Sequence, residues 1–522
     1  SQCERPGKDG RDMELELKKQ SFDTYEAGTE TTLTAEETAE TIVPDYCPDM
    51  ARIIDTEGMV FLHGRDFRDG KATLSGTVRV TVLYTPEGEG GIRSLEFAIP
   101  FTAESESLPE CAYLTAEVEP EMLESRMLNP RKVFTHCKLV ARITTYQRTA
   151  LRVCPDVETA PELCVEKRRE RQRATLLTHV AEKDFTFSEE MNLSPGREGA
   201  SEILFSQVRG CVTETKLVGS KLLFKGVFRI CLLYRTAQGQ YCSTAGELPF
   251  SQIMEVEGAQ EGSSATVRLQ LTGADLQIDG GDPEGRQLAV TLYLHATALV
   301  RREEELTLLR DLYSTAYELT YDASPMSLVT YWESTHRRQN VRESLEIGVV
   351  AEDILSVQAD CGTVTVSREG GGTVLRTVAF VRALYLDEGG TPLMAERGVE
   401  VSCQTDLPAD CRVFARASCA EEPQGTLTER GIEVRFPVDF QIEAAAQAKK
   451  VCISAVRVDT DSPKDLSGAP SLVLRQLGQQ ESPWDLAKRY NTTISTILSA
   501  NQLETEEDLP RDTLLLIPRK RA

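Results

Sequence analysis

The chain reads as a mainly β protein: three tandem antiparallel β-sandwich-like modules followed by a small βααβ domain. Three observations carry that reading: a strand pattern that recurs at domain length, a Gly-rich turn behind each copy, and a carboxy-terminal stretch with helical periodicity. The strand runs from Gly76 to Tyr84, again from Gly226 to Tyr234, and in weaker form up to Leu384 and Tyr385. The tyrosines recur at intervals of 150 and 151 residues, which points to copies of one module rather than a single large enzyme fold. A chain of 522 residues has room for three such modules and a remainder.

Taken in order, residues 1–40 form an amino-terminal leader and segment. Met13 to Lys18 reads as the natural start, and residues 1–12 as a leader or expression remnant. Two X-Pro units, Val43-Pro44 and Cys47-Pro48, then predict an extended approach to a short helix or strand ending near Ile54. The first module spans 41–160. In its marker strand Val78, Val80, Val82 and Tyr84 fall on one side, and Thr77, Arg79, Thr81 and Leu83 on the other, the pattern of a half-buried strand. The second module, 175–320, keeps that phase with Phe228, Ile230, Leu232 and Tyr234 inward and Arg229 at the offset of Arg79. Behind each tyrosine, glycines near 88, 239 and 389 supply the positive φ of a hairpin turn. The returning strands end in Pro100-Phe101 and Pro249-Phe250.

The third module, 325–456, departs twice: Thr377 stands where the others have Gly76 and Gly226, and Val399 to Val401 lacks the Pro-Phe pair. Long apolar strands at 138–146, 288–300 and 432–442 close the modules, and the Gly-Gly-Asp-Pro stretch at 280–283 excludes a helix before the second. Between modules one and two, the charged run Glu166 to Arg173 reads as a solvated linker or helix face. Residues 459–470, polar and punctuated by Pro and Gly, read as a linker.

The remainder, 471–519, changes character. Leu472 to Leu474 is a strand. Ser482 caps a helix that holds Pro483, Trp484 and Asp485 in its first turn, with Trp484, Leu486 and Ala487 inward. Asn491 to Thr493 breaks it, a second helix runs from Ile494 to Ser499, and Leu514 to Ile517 makes the last strand.

Composition narrows the function. A net charge of −24 opposes phosphate-rich partners, so no nucleic acid is expected. No apolar run reaches the roughly 20 residues of a membrane span. Fourteen cysteines without a C-x-x-C pair suit reduced thiols, and the polar amino terminus has no apolar signal core. The five histidines, His63, His136, His179, His295 and His336, show no metal-ligand spacing along the chain. There is no phosphate loop and no G-x-S-x-G elbow. These readings predict no enzyme, no metal and no cofactor.

Trp484, Ala487, Tyr490, Thr492-Thr493, Ile497-Leu498, Asn501, Leu503, Leu509-Pro510 and Leu516 to Pro518 resemble the LysM family. That resemblance implies a groove between two loops, Gln480, Glu481, Ser482 and Pro483 on one side and Asn501, Gln502, Leu503, Leu509 and Pro510 on the other. In the family it takes N-acetylglucosamine chains such as peptidoglycan. Here Gln480-Glu481 replaces a usual Gly-Asp turn, and Glu504, Glu506, Glu507 and Asp508 make the second loop acidic, which suits a protein partner.

The upstream copies, through Val43 to Asp49, the marker strands and the Pro-Phe exits, resemble the SPOCS domain of spore coat and sporulation proteins in endospore-forming Firmicutes. SPOCS units followed by one LysM resemble the SipL-type spore morphogenetic proteins of clostridia. This resemblance implies a non-catalytic scaffold for spore coat assembly at the forespore surface in the mother-cell cytoplasm. It implies recruitment of a coat-basement ATPase through LysM, and strand edges leave room for self-association. The alternative is a cell-wall protein that binds peptidoglycan through LysM.

Overall fold

The structure is a computed structural model that describes residues 12–519 except 29, 89, 194, 195, 197, 420, 466, 469, 477, 479, 480 and 506–513. It is mainly β, with two short α-helices near the carboxy terminus among the described residues.

In the first copy, Met50–Arg68, Lys71–Pro86 and Arg93–Glu104 form an antiparallel sheet. Its inward residues Val78, Val80, Val82 and Tyr84 are fully buried and share a core with Leu139, Ala141 and Ile143 of Lys132–Val157. The second copy repeats this. Ala200–Val218, Lys221–Thr236 and Tyr241–Glu255 pack through Phe228, Ile230 and Tyr234 against Leu292, Leu294 and Ala296 of Gln287–Ser314. In the third, Gly372–Asp387 lies between Pro392–Thr405 and the pair Ala351–Cys361 and Thr365–Glu369, and packs on Gly431–Pro463.

The repeated tyrosine has a hydrogen-bonding role. Tyr84 donates its hydroxyl to the Pro48 carbonyl at 3.2 Å, and Tyr234 donates to the Glu198 carbonyl at 3.1 Å, so each pins the segment that enters its own module. The glycine and the aromatic exit are also one device. Gly76 pairs with Phe101 and Gly226 with Phe250 across the hairpin, and the ring covers the glycine so closely that a Cβ would lie 2.7 Å from it in both copies. The same Cβ would lie 2.2 Å from the Phe61 carbonyl oxygen in copy one and 2.0 Å from that of Cys211 in copy two. In copy three Thr377 pairs with Val401, and its hydroxyl donates to the carbonyl of Gly362, the residue matching Phe61 and Cys211, at 2.8 Å. The bulged strands of copies one and two become two separate strands there, Ala351–Cys361 and Thr365–Glu369.

The copies are not beads on a string. Leu83, Leu233 and Leu384, each one residue before its tyrosine, are buried in one core with Ile92, Leu204, Phe205 and Leu355. The side of the marker strand expected to be outward is therefore covered near its end by the other copies. A second shared core forms where the long strands run on past their modules: Val153, Val157, Leu176, Leu308, Leu312, Leu328, Ile453 and Val456 meet there.

Several boundaries move as a result. Leu17–Ala27 and Thr31–Ile42, assigned to a segment preceding the first module, both pair with Lys132–Val157. Asp12–Glu14 pairs with the strand of copy three, Met13 opposite Val458. Residues 1–11, the rest of the expected leader, lie outside the described residues. The charged run at 166–173 is neither linker nor helix but the start of the strand Val165–Asn192, its charges matched by neighbours: Lys167 and Arg169 to Asp156, and Glu170 to Arg310 and Lys450. Asp459–Pro463, read as linker, ends the strand that pairs with Tyr317 and Glu318. The strand-to-strand pairing supplies main-chain partners that alternation over such short polar stretches does not reveal.

Candidate interaction site

The carboxy-terminal unit has the expected β-α-α-β order: Leu472–Gln476, α1 (Pro483–Arg489), α2 (Ile494–Ala500) and Leu514–Pro518, with the two strands paired antiparallel. Ser482 starts α1 with a capping box: its hydroxyl accepts from the Asp485 amide at 3.2 Å, and the Asp485 carboxylate accepts from the Ser482 amide at 3.1 Å. Pro483 sits where no helical N–H is needed. Asn491, at φ 55, turns the chain into α2, which Thr493 caps by accepting from the Thr496 amide at 3.1 Å. Leu486, Ala487, Ile497, Leu515 and Ile517 form the core.

This unit is docked on the end of the strand Gln287–Ser314. Trp484 is buried edge-on against Tyr313, ring centroids 5.0 Å apart. Its indole N–H donates to Asp311 at 2.7 Å, and Lys488 and Tyr321 donate to the same carboxylate at 2.6 and 2.9 Å. Burial pushes the Asp311 carboxyl up, but these three donors hold it below its ordinary range. Tyr313 donates to the Thr492 carbonyl at 2.7 Å, and the Asn491 side chain donates to the Thr315 carbonyl at 2.7 Å. Lys464 joins the connection, donating to Ser314 and Asn491. The contact uses α1 and the turn after it.

Five of the expected groove residues, Glu481, Ser482, Pro483, Asn501 and Leu503, are tied up within the terminal unit. Glu481 pairs with Arg475 and Arg489, Ser482 caps α1, and Pro483 opens it. Asn501 accepts from the Leu516 amide at 2.8 Å and donates to its carbonyl at 2.7 Å, so it clips the last strand to α2. Gln502 is exposed at φ 57, and Leu503 packs against the core. The structure thus brings Glu481, Ser482 and Pro483 onto one side of α1 and Asn501, Gln502 and Leu503 onto the end of α2. Gln480, Leu509 and Pro510 lie outside the described residues. Asp311 and Tyr313 had no signal along the chain, since Asp311 is 173 residues from Trp484.

A second charged centre joins the three modules. Arg382 reaches Glu57 at 2.5 Å, Asp360 at 2.9 Å and Asp55 at 3.4 Å, and Arg209 pairs with Asp360. Three carboxylates face two guanidiniums, and burial drives the Glu57 carboxyl well above its ordinary range while the two arginines hold Asp360 below it. Alongside, Arg268 of module two meets Glu117 of module one and Glu443 of module three, and Arg416 also pairs with Glu117. A cavity of about 580 Å³ lies between these strands.

Two histidines have carboxylate partners across strands that spacing along the chain cannot show. His136 meets Glu36 at 2.6 Å, and His295 meets Asp184 at 2.6 Å. The other ring nitrogen of His295 faces Arg65 at 2.5 Å, so neither nitrogen is left to act as a base. Among the described residues no three His, Cys, Asp or Glu side chains converge as metal ligands, and no helix is long and apolar enough to cross a membrane.

Residues 49–128 and 199–279 match the family model described as SipL, SPOCS domain. No curated protein matches the chain. No solved structure matches it. The two matched segments are the copies that carry the glycine–phenylalanine pair and the tyrosine clamp, and over these segments the chain is similar to the SPOCS domain of SipL.

Proposed function

We propose that this chain is a non-catalytic spore morphogenetic scaffold that helps assemble the spore coat on the forespore surface, acting in the mother-cell cytoplasm. Three SPOCS modules of sandwich type form its body, and the βααβ unit is a LysM module that recruits a coat-basement ATPase. The observation that carries the reading is the docking of Trp484 and Lys488 on Asp311. It fixes the terminal module on the body through α1, and a recruiting surface held in one place on a multi-module body suits ordered assembly. The loop residues Gln502 and Glu504 are exposed just beyond the end of α2, and their polar character suits a protein partner.

The test is retention by the immobilised full chain from a lysate of sporulating cells and, separately, binding to purified peptidoglycan. The scaffold reading expects the ATPase to be retained and the double charge change Gln502→Arg, Glu504→Arg to weaken retention at least tenfold. Binding to peptidoglycan alone would overturn it and leave the cell-wall reading standing.

A further inference from the structure

We propose that Cys361 and Cys419 are a redox-active thiol pair that closes to a disulfide on reaction with hydrogen peroxide and reopens with a dithiol reductant. Cys361 ends the strand Ala351–Cys361, and Cys419 follows the strand Arg412–Ser418. The chain thus brings two residues 58 positions apart to a sulfur–sulfur distance of 3.8 Å. A disulfide needs about 2.05 Å, so closure asks for roughly 1.8 Å of approach, within reach of small side-chain rotations.

The surroundings suit thiol chemistry. Arg209 of module two donates to the Ala359 carbonyl at 3.2 Å and the Cys419 carbonyl at 3.4 Å and pairs with Asp360, which sets a guanidinium beside both sulfurs. The hydrogen bond from Cys419 holds the Cys361 thiol below its ordinary value, against the opposing effect of burial. Cys361 is half-buried and Cys419 nearly enclosed. Beside Cys419 a cleft of about 20 Å³, lined by Arg209, Arg229 and Cys231, has space for one water-sized molecule.

The chemistry balances in two steps. The Cys361 thiolate attacks one peroxide oxygen; the S–O bond forms, the O–O bond breaks, and the departing hydroxide takes up a proton to become water. Cys419 then attacks the sulfenic sulfur; the S–S bond forms, the S–O bond breaks, and the second water leaves with the Cys419 proton. Two thiols are oxidised by two electrons and one peroxide is reduced to two waters.

Cys154 and Cys452 show what proximity without alignment looks like. The Cys452 sulfur accepts from the Cys154 amide at 3.2 Å, whereas the Cys154 thiol points to the Asp156 carbonyl at 3.1 Å. Oxidation at Cys361 and Cys419 draws on the residues that anchor Arg209, so the junction of modules two and three senses it.

The experiment treats the reduced full chain with a few equivalents of hydrogen peroxide, alkylates the remaining thiols and maps peptides by mass spectrometry. A linked peptide joining Cys361 to Cys419 is expected, two mass units below the sum of its reduced parts. Alkylation of Cys361 should fall at least tenfold and recover after dithiothreitol. Cys361→Ser should abolish the link, while Cys154→Ser leaves it. Over-oxidation of Cys361 without a linked peptide, or a link from Cys419 to Cys231 instead, would overturn the proposal. A melting curve of Cys361→Ser matching the parent shows that loss of the link reflects chemistry rather than misfolding; should Cys361→Ser unfold, Cys419→Ala serves in its place.

Discussion

Replacing Asp311 by alanine should release the terminal unit from the body. The carboxylate accepts from the Trp484 indole, the Tyr321 hydroxyl and the Lys488 ammonium, and its side chain is only 20% exposed. Hydrogen bonds to a charged acceptor are worth about 1.5 kcal/mol or more each when partly buried. Lys488 is 38% exposed, so its pair is discounted to ~0.5–1 kcal/mol. The loss is therefore about 3–4 kcal/mol, a fall of roughly 200- to 1,000-fold in the docked-to-undocked ratio. Asn at 311 keeps an acceptor and loses the charge, and should cost about half as much. The chain has two tryptophans, so Trp332→Phe leaves Trp484 as the sole reporter. Asp311→Ala in that background should shift its emission to the red and speed cleavage between residues 464 and 471, while the melting of the modules stays put. Emission and cleavage unchanged from the parent would refute the claim that Asp311 holds the dock.

Gly226→Ala should lower stability by about 3 kcal/mol or more, since its Cβ would sit 2.0 Å from the Cys211 carbonyl oxygen and 2.7 Å from the Phe250 ring; Thr377→Gly loses one hydrogen bond and should cost only about 1–2 kcal/mol, and denaturant titration separates the two. Glu57→Gln should stabilise the protein at neutral pH and do so less at pH 4. The folded-state pKa of Glu57 lies above its unfolded value, so its burial penalty grows as pH rises through the ordinary carboxyl range, and melting curves at the two pH values read the difference. Ser482→Ala removes the capping box of α1 and should cost ~1 kcal/mol, seen as faster amide exchange at Trp484 to Asp485.

The strand repeat, its period and the βααβ order of the terminal unit were legible because each rests on local periodicity and turn chemistry. Val78, Val80, Val82 and Tyr84 announce an inward side, and Ser482 with Asp485 announces a helix start. What could not be read is anything that depends on copies meeting. Leu83, Leu233 and Leu384 look like outward residues on three separate strands, and only their convergence buries them. The run at 166–173 has the composition of a linker, yet Lys167 and Arg169 share Asp156, and Glu170 meets Arg310 and Lys450 from other long strands. Of the candidate groove, Ser482 and Asn501 were legible as positions; their bonds show them building the unit itself, and the residues that dock it come from strand ends far away in the chain.

Aligning the copies on their tyrosines could have exposed the charged centre. The position three residues before the tyrosine is Thr81, Cys231 and Arg382, and its cross-strand partner is Glu57, Gln207 and Gln358. One arginine and one glutamate thus occupy the two partnered positions, Arg382 on the marker strand of copy three and Glu57 on the neighbouring strand of copy one, and they meet at 2.5 Å. A buried ion pair adds little net stability over apolar packing, but breaking it by a wrong neighbour leaves an uncompensated charge. The divergence of copy three therefore acts as a label: its Arg382 selects the acidic side of copy one, and Asp360 selects Arg209 of copy two. The same copy gave up the glycine–phenylalanine pair for Thr377 and Val401, a compensated exchange that keeps the strand while freeing its sequence to serve the junction.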